Sequence, residues 1–163
     1  AEYIRANLLQ GLGVATLIIA GLMALLFWNL RMVLISLIPN IFPLVIGGAF
    51  LGFTGVELEA GVSIVFSVIF GIAVDDTIHF LSKFKLACSK GLLLEDALRT
   101  TFIEAGKPII LTSVILFFGF LVMLFSIHPP SVTVGWLISL TLLTAVACDL
   151  FLIPVLIRWL LRN

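Results

Sequence analysis

The stretch from residue 60 to residue 84, AGVSIVFSVIFGIAVDDTIHFLSKF, decides the fold class of this chain. It is longer than the roughly 20 apolar residues that cross a bilayer as a helix, and Asp75 and Asp76 are its only acidic residues. An ionised side chain at the centre of a membrane helix costs about 2.5–3.5 kcal/mol. Acids at such positions most often move a proton or an ion. The segment therefore predicts a membrane helix with a functional carboxylate pair.

The composition of the whole chain agrees with a membrane protein. Of its 163 residues 62% are hydrophobic and only 11% are charged, whereas a soluble domain carries about 25% charged residues. The formal net charge is zero, so no basic patch for nucleic acid is indicated. Cys88 and Cys148 are not expected to form a disulfide, because one lies in a connector and the other inside a span. Because the chain begins with Ala1 instead of Met, we expect a fragment of a longer product.

Five apolar segments have the length of membrane helices, which predicts an all-α, polytopic helix bundle. A membrane β-barrel is not predicted, because the strands of a barrel alternate apolar and polar residues. Residues 94–105 form a further, amphipathic segment that predicts a short interfacial helix on the cytoplasmic side, ended by Gly106 and Pro108. Prolines inside the second and fifth spans, Pro39, Pro43 and Pro154, are expected hinges. The predicted spans are residues 8–27, 32–53, 60–82, 108–127 and 132–161.

The basic residues predict the orientation of the chain. Most of them fall on one side of the predicted spans, and the positive-inside rule places that side in the cytoplasm. The N-terminus is then outside and the C-terminus inside. The opposite side holds Arg5 and loops with Glu57, Glu59 and His128. The residues of the basic side are Arg31, Lys83, Lys85, Lys90, Arg99, Lys107, Arg158 and Arg162.

Small and polar residues recur every four positions along the third span. Ser63, Ser67, Gly71 and Asp75 therefore share one helix face. Small residues let two membrane helices approach closely, so we expect this face, with Asp75, to contact another helix. Asp76 lies about 100° further around the helix, and two carboxyls this close titrate as a coupled pair. The pattern is that of a proton relay, although packing through silent polar contacts remains an alternative.

Four other polar residues are candidate partners of this pair. Asp149 is predicted at a similar depth, and the alternative is an acid hydrated near a helix end. Thr112 and Ser113 enter the fourth span from the same side, but hydroxyls in helices often bond to their own backbone. His79 follows one turn after the acids. A histidine that faces water at a helix end is a simpler interpretation of this residue than a metal ligand. No metal site or cofactor is predicted.

Several of these segments together resemble a known family. GIAVDDTIHFLSKF is similar to the fourth transmembrane helix of the resistance-nodulation-division (RND) superfamily, in the MMPL-like branch of hydrophobe and lipid exporters. LIPNIFPLVIGGAFLGFTG resembles the preceding helix, with Pro39 and Pro43. GKPIILTSVILFFGFLVMLFS resembles the fifth helix, and ACDLFLIPVLIRWLL resembles the end of the sixth, with Asp149 and Pro154.

The resemblance implies that residues 1–163 are helices two to six of one RND repeat. The same five-helix block forms the sterol-sensing domain of Patched-like proteins. In the family, acids of the fourth helix carry protons inward, which implies that Asp75 and Asp76 are the relay acids, with Thr112 and Ser113 as lesser candidates. The resemblance also implies a second repeat or a second copy of the chain as partner, and a bacterial inner membrane as location. No basic residue lies within a predicted span, so the lysine of some drug-efflux relatives is absent.

The primary functional hypothesis is the membrane core of an exporter of hydrophobic or lipid-like molecules, driven by the proton-motive force. The alternative is a module that senses sterol or lipid without transporting it. An enzyme is not predicted. In an intramembrane aspartyl protease glycine and tyrosine would precede the two acids, whereas Val74 and Cys148 precede Asp75 and Asp149 here.

Overall fold

The protein is a bundle of five long helices. The structure, a computed structural model, describes residues 2–56 and 60–161, without the side chains of residues 2, 4, 5 and 60. All five helices are long and apolar enough to cross a membrane, which confirms the all-α fold class. The helices are α1 (Glu2–Phe27), α2 (Leu30–Thr54), α3 (Ala60–Ser89), α4 (Leu94–Phe125) and α5 (Pro129–Leu161).

Several helix ends differ from the predicted spans. Helix α1 begins at Glu2 instead of residue 8, and α3 continues to Ser89 instead of residue 82. The spans were drawn from apolar residues alone, but a helix continues through polar residues for as long as its backbone hydrogen bonds are made. Helix α5 begins at Pro129 instead of residue 132. Proline is favoured in the first helical turn because the missing N–H has no partner there anyway.

The predicted break at Gly106 and Pro108 is wrong. The chain is helical without interruption from Leu94 to Phe125, and a π-helical turn, Phe102–Gly106, precedes the proline. A second π turn, Cys148–Leu152, precedes Pro154 in α5. A proline clashes with the carbonyl four residues back and leaves it without a donor. The wider π turn absorbs this misfit, so both helices pass their prolines instead of ending there.

Residues 94–105, the predicted interfacial helix, pack onto the bundle. Ala97 and Leu98 are buried in an apolar cluster with residues of the other helices. Lys83 pairs with Glu104 at 3.4 Å, and Arg158 pairs with Glu95 at 2.7 Å. Exposed pairs of this kind contribute little to stability, so the buried apolar contacts hold this segment in place.

One end of the bundle is basic, as predicted. Arg31 Nη1 donates to the Leu160 carbonyl at 3.0 Å, and Lys85 Nζ donates to the Leu26 carbonyl at 2.5 Å. The paired residues Lys83 and Arg158 belong to the same end. The side chain of Arg5 and the residues Glu57, Glu59 and Arg162, which entered the orientation argument, lie outside the described part of the structure.

Helices α2, α3 and α5 form the centre of the bundle. Each packs against the other two, α4 packs on α5, and α1 lies against α2 and α3. The other helices cover few side chains of α1. Among its described side chains, Met23 and Phe27 are buried. Polar residues placed on the three central helices can therefore meet, which determines the candidate site.

Gly47 permits the close contact between α2 and α5. A Cβ at this position would lie 2.6 Å from Thr141 Cγ2, whereas a Cβ on the adjacent Gly48 would meet nothing within 4 Å. Thr141 cannot turn away easily, because its hydroxyl donates to the Leu137 carbonyl at 2.6 Å. We expect Gly47→Ala to lower the free energy of unfolding by about 1–3 kcal/mol.

Thermal unfolding of the detergent-purified protein measures this effect. Gly48→Ala is the matched control, and it should be neutral or slightly stabilising because alanine favours a helix over glycine by about 1 kcal/mol. Equal melting temperatures for the two variants would contradict the close packing of α2 on α5.

Candidate functional site in the membrane helices

Asp75 lies on a face of α3 that no other described helix covers. Ser67, Gly71 and Asp75 are all exposed, and only Ser63 is half-buried, beside a groove that residues of α1 also line. No helix of the described residues covers this face at Asp75, so its contact with another helix stays a prediction. The spacing of four correctly puts these residues on one face, but the bundle turns that face outward.

Asp76 differs from Asp75 in its surroundings. It is half-buried and interacts electrostatically with both Asp75 and Asp149. Within residues 2–56 and 60–161, no hydrogen bond or ion pair reaches either Asp75 or Asp76. The two acids thus form a pair of adjacent carboxyl groups on a membrane helix with no ion-pair partner among the described residues.

A hydrogen-bonded group of three side chains, the buried triad Asn40, Thr77 and Asp149, joins the three central helices. The Thr77 hydroxyl lies 2.7 Å from Asp149 Oδ1 and 3.3 Å from Asn40 Oδ1. The Asn40 amide donates to the Ser36 carbonyl at 2.6 Å. All three side chains are at most 1% exposed, and Asp149 Oδ2 has no hydrogen-bond partner.

The buried triad forms a polar layer between two apolar clusters. One cluster includes Ile35, Phe80 and Ile153, and the other includes Leu51, Ile69, and Leu137. On each of the three helices the polar residue falls between members of the two clusters in sequence. Apolar side chains therefore cover the triad toward both ends of the bundle, which explains its low exposure.

The remaining predicted partners make no hydrogen bond to the acids. Thr112 is exposed and donates to the carbonyls of Pro108 and Ile109 on its own helix, each at 3.0 Å. Ser113 is buried in an apolar groove between α4 and α5 and has no hydrogen-bond partner. His79 is exposed on the uncovered face of α3. None of the three is hydrogen-bonded to Asp75, Asp76 or Asp149, whereas Asp149 is joined to α3 through Thr77.

Asn40 and Thr77 were not among the predicted site residues. A signal for both exists in the sequence, because an amide between Pro39 and Pro43 and a hydroxyl directly after Asp76 are polar groups in apolar spans. The signal does not predict the hydrogen bonds of Thr77, because Asn40 and Asp149 are 37 and 72 residues away from it along the chain. Among the described residues, no group of three or more His, Cys, Asp or Glu side chains is placed to hold a metal ion.

Comparison with known proteins places these features in a family. The model of the MMPL family matches residues 2–162. The membrane protein MJ1562 of Methanocaldococcus jannaschii is 25% identical over 124 residues, which cover 76% of this chain and 32% of that protein. The chain thus spans about a third of the length of this relative. No solved structure gives a significant match.

Proposed function

Because the chain belongs to the MMPL family, we propose that it is the membrane core of a proton-driven exporter of hydrophobic or lipid-like molecules. It is a transporter in this proposal and not an enzyme. The observation that carries the proposal is the carboxylate pair on the membrane-spanning helix α3, with Asp75 on the uncovered face. Carboxylates inside a bilayer are costly and mark proton or ion pathways.

The uncovered face of α3 supports the proposal that another set of helices packs against this chain. Left against lipid, the Asp75 carboxylate would cost about 2.5–3.5 kcal/mol on insertion scales. We propose that a second repeat of the longer protein, or a second copy of this chain, covers the face and completes the path for the proton. The small residues Ser67 and Gly71 on the same face would allow its helices to come close.

The membrane potential supplies enough energy for this mechanism. One charge that crosses 100 mV releases about 2.3 kcal/mol, which shifts a two-state equilibrium by roughly 50-fold. Protons would enter at Asp75 and Asp76 from outside and leave to the cytoplasm. The basic end of the bundle, with Arg31 and Lys85, would face the cytoplasm by the positive-inside rule.

A lipid-sensing module is the second candidate function. A groove of about 240 Å³ lies between α4 and α5, and apolar side chains such as Phe117 and Leu142 line it. Its one described hydroxyl, Ser113, is buried and lacks a hydrogen-bond partner. A lipid with an apolar body and a polar head could use both features without any proton movement.

Transport in vesicles distinguishes the two functions. Full-length protein in proteoliposomes should export a fluorescent fatty-acyl lipid when an inward proton gradient is imposed, and a protonophore should reduce export to that of protein-free vesicles. A pH-sensitive dye should record proton movement that requires the protein. Export that ignores the protonophore would contradict proton drive. Saturable sterol binding with no lipid or proton flux would support the sensing module instead.

A further inference from the structure

The buried triad holds more hydrogen-bond acceptors than hydrogens. The Asn40 amide must donate to the Ser36 carbonyl, 2.6 Å away, because the opposite rotamer would place two oxygens against each other. Its Oδ1 therefore faces Thr77. Asn40 Oδ1 and both carboxylate oxygens of Asp149 accept only, and the Thr77 hydroxyl brings a single hydrogen.

An ionised Asp149 leaves this arrangement unsatisfied. The Thr77 hydroxyl can donate to Asp149 or to Asn40 but not to both, and Asp149 Oδ2 has no partner in either case. A buried charge without a partner of opposite sign is strongly unfavourable. The ion pairs of the described chain involve Lys83 and Arg158 with other residues.

The groups that surround Asp149 offer no positive charge. Helix α2 faces it with the neutral Asn40, and α3 faces it with Thr77 and the acid Asp76. On its own helix, Cys148 is the neighbouring titratable group. No basic side chain of the described residues interacts with Asp149.

One added proton removes the buried charge and supplies the hydrogen that the triad lacks. A protonated Asp149 donates through Oδ1 to the Thr77 hydroxyl at 2.7 Å, which is the usual length of an O–H···O bond. Thr77 is then free to donate to Asn40 Oδ1 at 3.3 Å, and Asn40 donates to Ser36. The donors then run in one direction from α5 through α3 to α2, and Asp149 Oδ2, now without a charge, is the carboxyl oxygen that has no partner.

We propose that Asp149 is a second proton-binding site of this protein, separate from Asp75 and Asp76, with Thr77 and Asn40 as its hydrogen-bonding chain. The proposal goes beyond the function proposed above and stands without export. When the proton leaves to water, the carboxyl becomes a carboxylate, Thr77 turns to donate to it, and Asn40 Oδ1 loses its donor. Loss of the proton therefore weakens the contact of α2 with α3 and α5.

The position of Asp149 fits a site that responds to its proton. It lies within the π turn Cys148–Leu152, and π turns are places where a helix can shift its register. It also interacts electrostatically with the half-buried Asp76. Proton occupancy at the triad and charge on Asp76 are therefore linked.

Infrared spectroscopy of the full-length protein in lipid nanodiscs tests the site. At neutral pH the wild type should show a C=O band of a protonated carboxyl, and Asp149→Asn should lose it. Asp96→Asn is the control, because Asp96 is an exposed acid outside the triad, and it should keep the band. Thr77→Val should shift the band by removing its hydrogen bond, and Thr77→Ser should restore its position. A band unchanged in Asp149→Asn would overturn the proposal.

Thermal unfolding gives an independent measurement. The wild type should lose stability as the pH rises from mildly acidic to mildly alkaline, since only the protonated site is uncharged and has hydrogen bonds on both sides of Thr77. Asp149→Asn should match the wild type in acid and should lose this part of the pH dependence, because its amide donates to Thr77 permanently. Asp76→Asn should retain a pH dependence that Asp149→Asn removes.

Two further outcomes are decisive. If Asp149→Asn does not fold, the band shift in folded Thr77→Val still tests whether Asp149 is protonated, and an unshifted band overturns the proposal. If sodium in place of potassium stabilises the wild type and Asp149→Asn abolishes that effect, the triad binds a metal cation, which also overturns it. Failure of lipid export alone affects only the function proposed above.

Discussion

Replacing Asp75 or Asp76 by asparagine in the full-length protein is expected to abolish proton-driven export, down to the flux of protein-free vesicles. Asparagine keeps the shape of the side chain but cannot take up or release a proton at these pH values. Neither acid is hydrogen-bonded or ion-paired within the described chain, so removing its charge breaks no such contact there. The expected result is a loss of transport with normal amounts of folded protein.

Proteoliposome export and proton uptake, measured on the same preparations, check this prediction. Asp96→Asn is the matched control, because it makes the same chemical change at an exposed acid in the first turn of α4. It should transport like the wild type. Wild-type flux from both Asp75→Asn and Asp76→Asn would remove the carboxylate pair from the mechanism.

Phe80→Ala is expected to destabilise the protein more than any single change at its lipid-facing surface. Phe80 is fully buried, one turn after Asp76, and its ring makes an edge-to-face contact with Phe102 at 5.5 Å between centroids. Truncation leaves a cavity where α3 meets α4. We expect a loss of about 3 kcal/mol, the lower end of the range for buried phenylalanines, because lipid weakens the hydrophobic part of the effect.

Chemical or thermal unfolding in detergent measures this loss. Phe118→Ala is the matched control, since the Phe118 ring is 60% exposed and its removal leaves no cavity. It should change stability by less than about 1 kcal/mol. Equal melting temperatures for the two variants would mean that α3 packs on α4 around Phe80 less tightly than in the structure.

Local sequence was sufficient to predict the helices but not their continuity. Each apolar run is long enough to cross a bilayer, and length is a local property. The continuity of α4 past Gly106 and Pro108 was missed, because a proline was assumed to end the interfacial helix. The π turn Phe102–Gly106 passes it instead, and no residue pattern in the chain distinguishes the two outcomes.

The periodicity of α3 predicted which residues share a helix face, but it did not predict whether that face points into the bundle or out of it. Ser67, Gly71 and Asp75 do share a face, yet that face is turned out of the bundle. The direction depends on which side of α3 fits against α2 and α5. Large apolar residues such as Phe66 and Ile69 lie in that contact, and the small-residue face is turned outward.

By itself the sequence determined that this protein crosses a membrane as helices, that one end is basic, and that two acids lie within a span. These properties depend on the solvation of individual residues and therefore add along the chain. The contact of Asp149 with Thr77, the contact of Thr77 with Asn40 and the outward direction of Asp75 are seen only in the packed bundle. All three depend on how three helices pack together, because a hydrogen bond between distant residues exists only once the packing has fixed the distance between them.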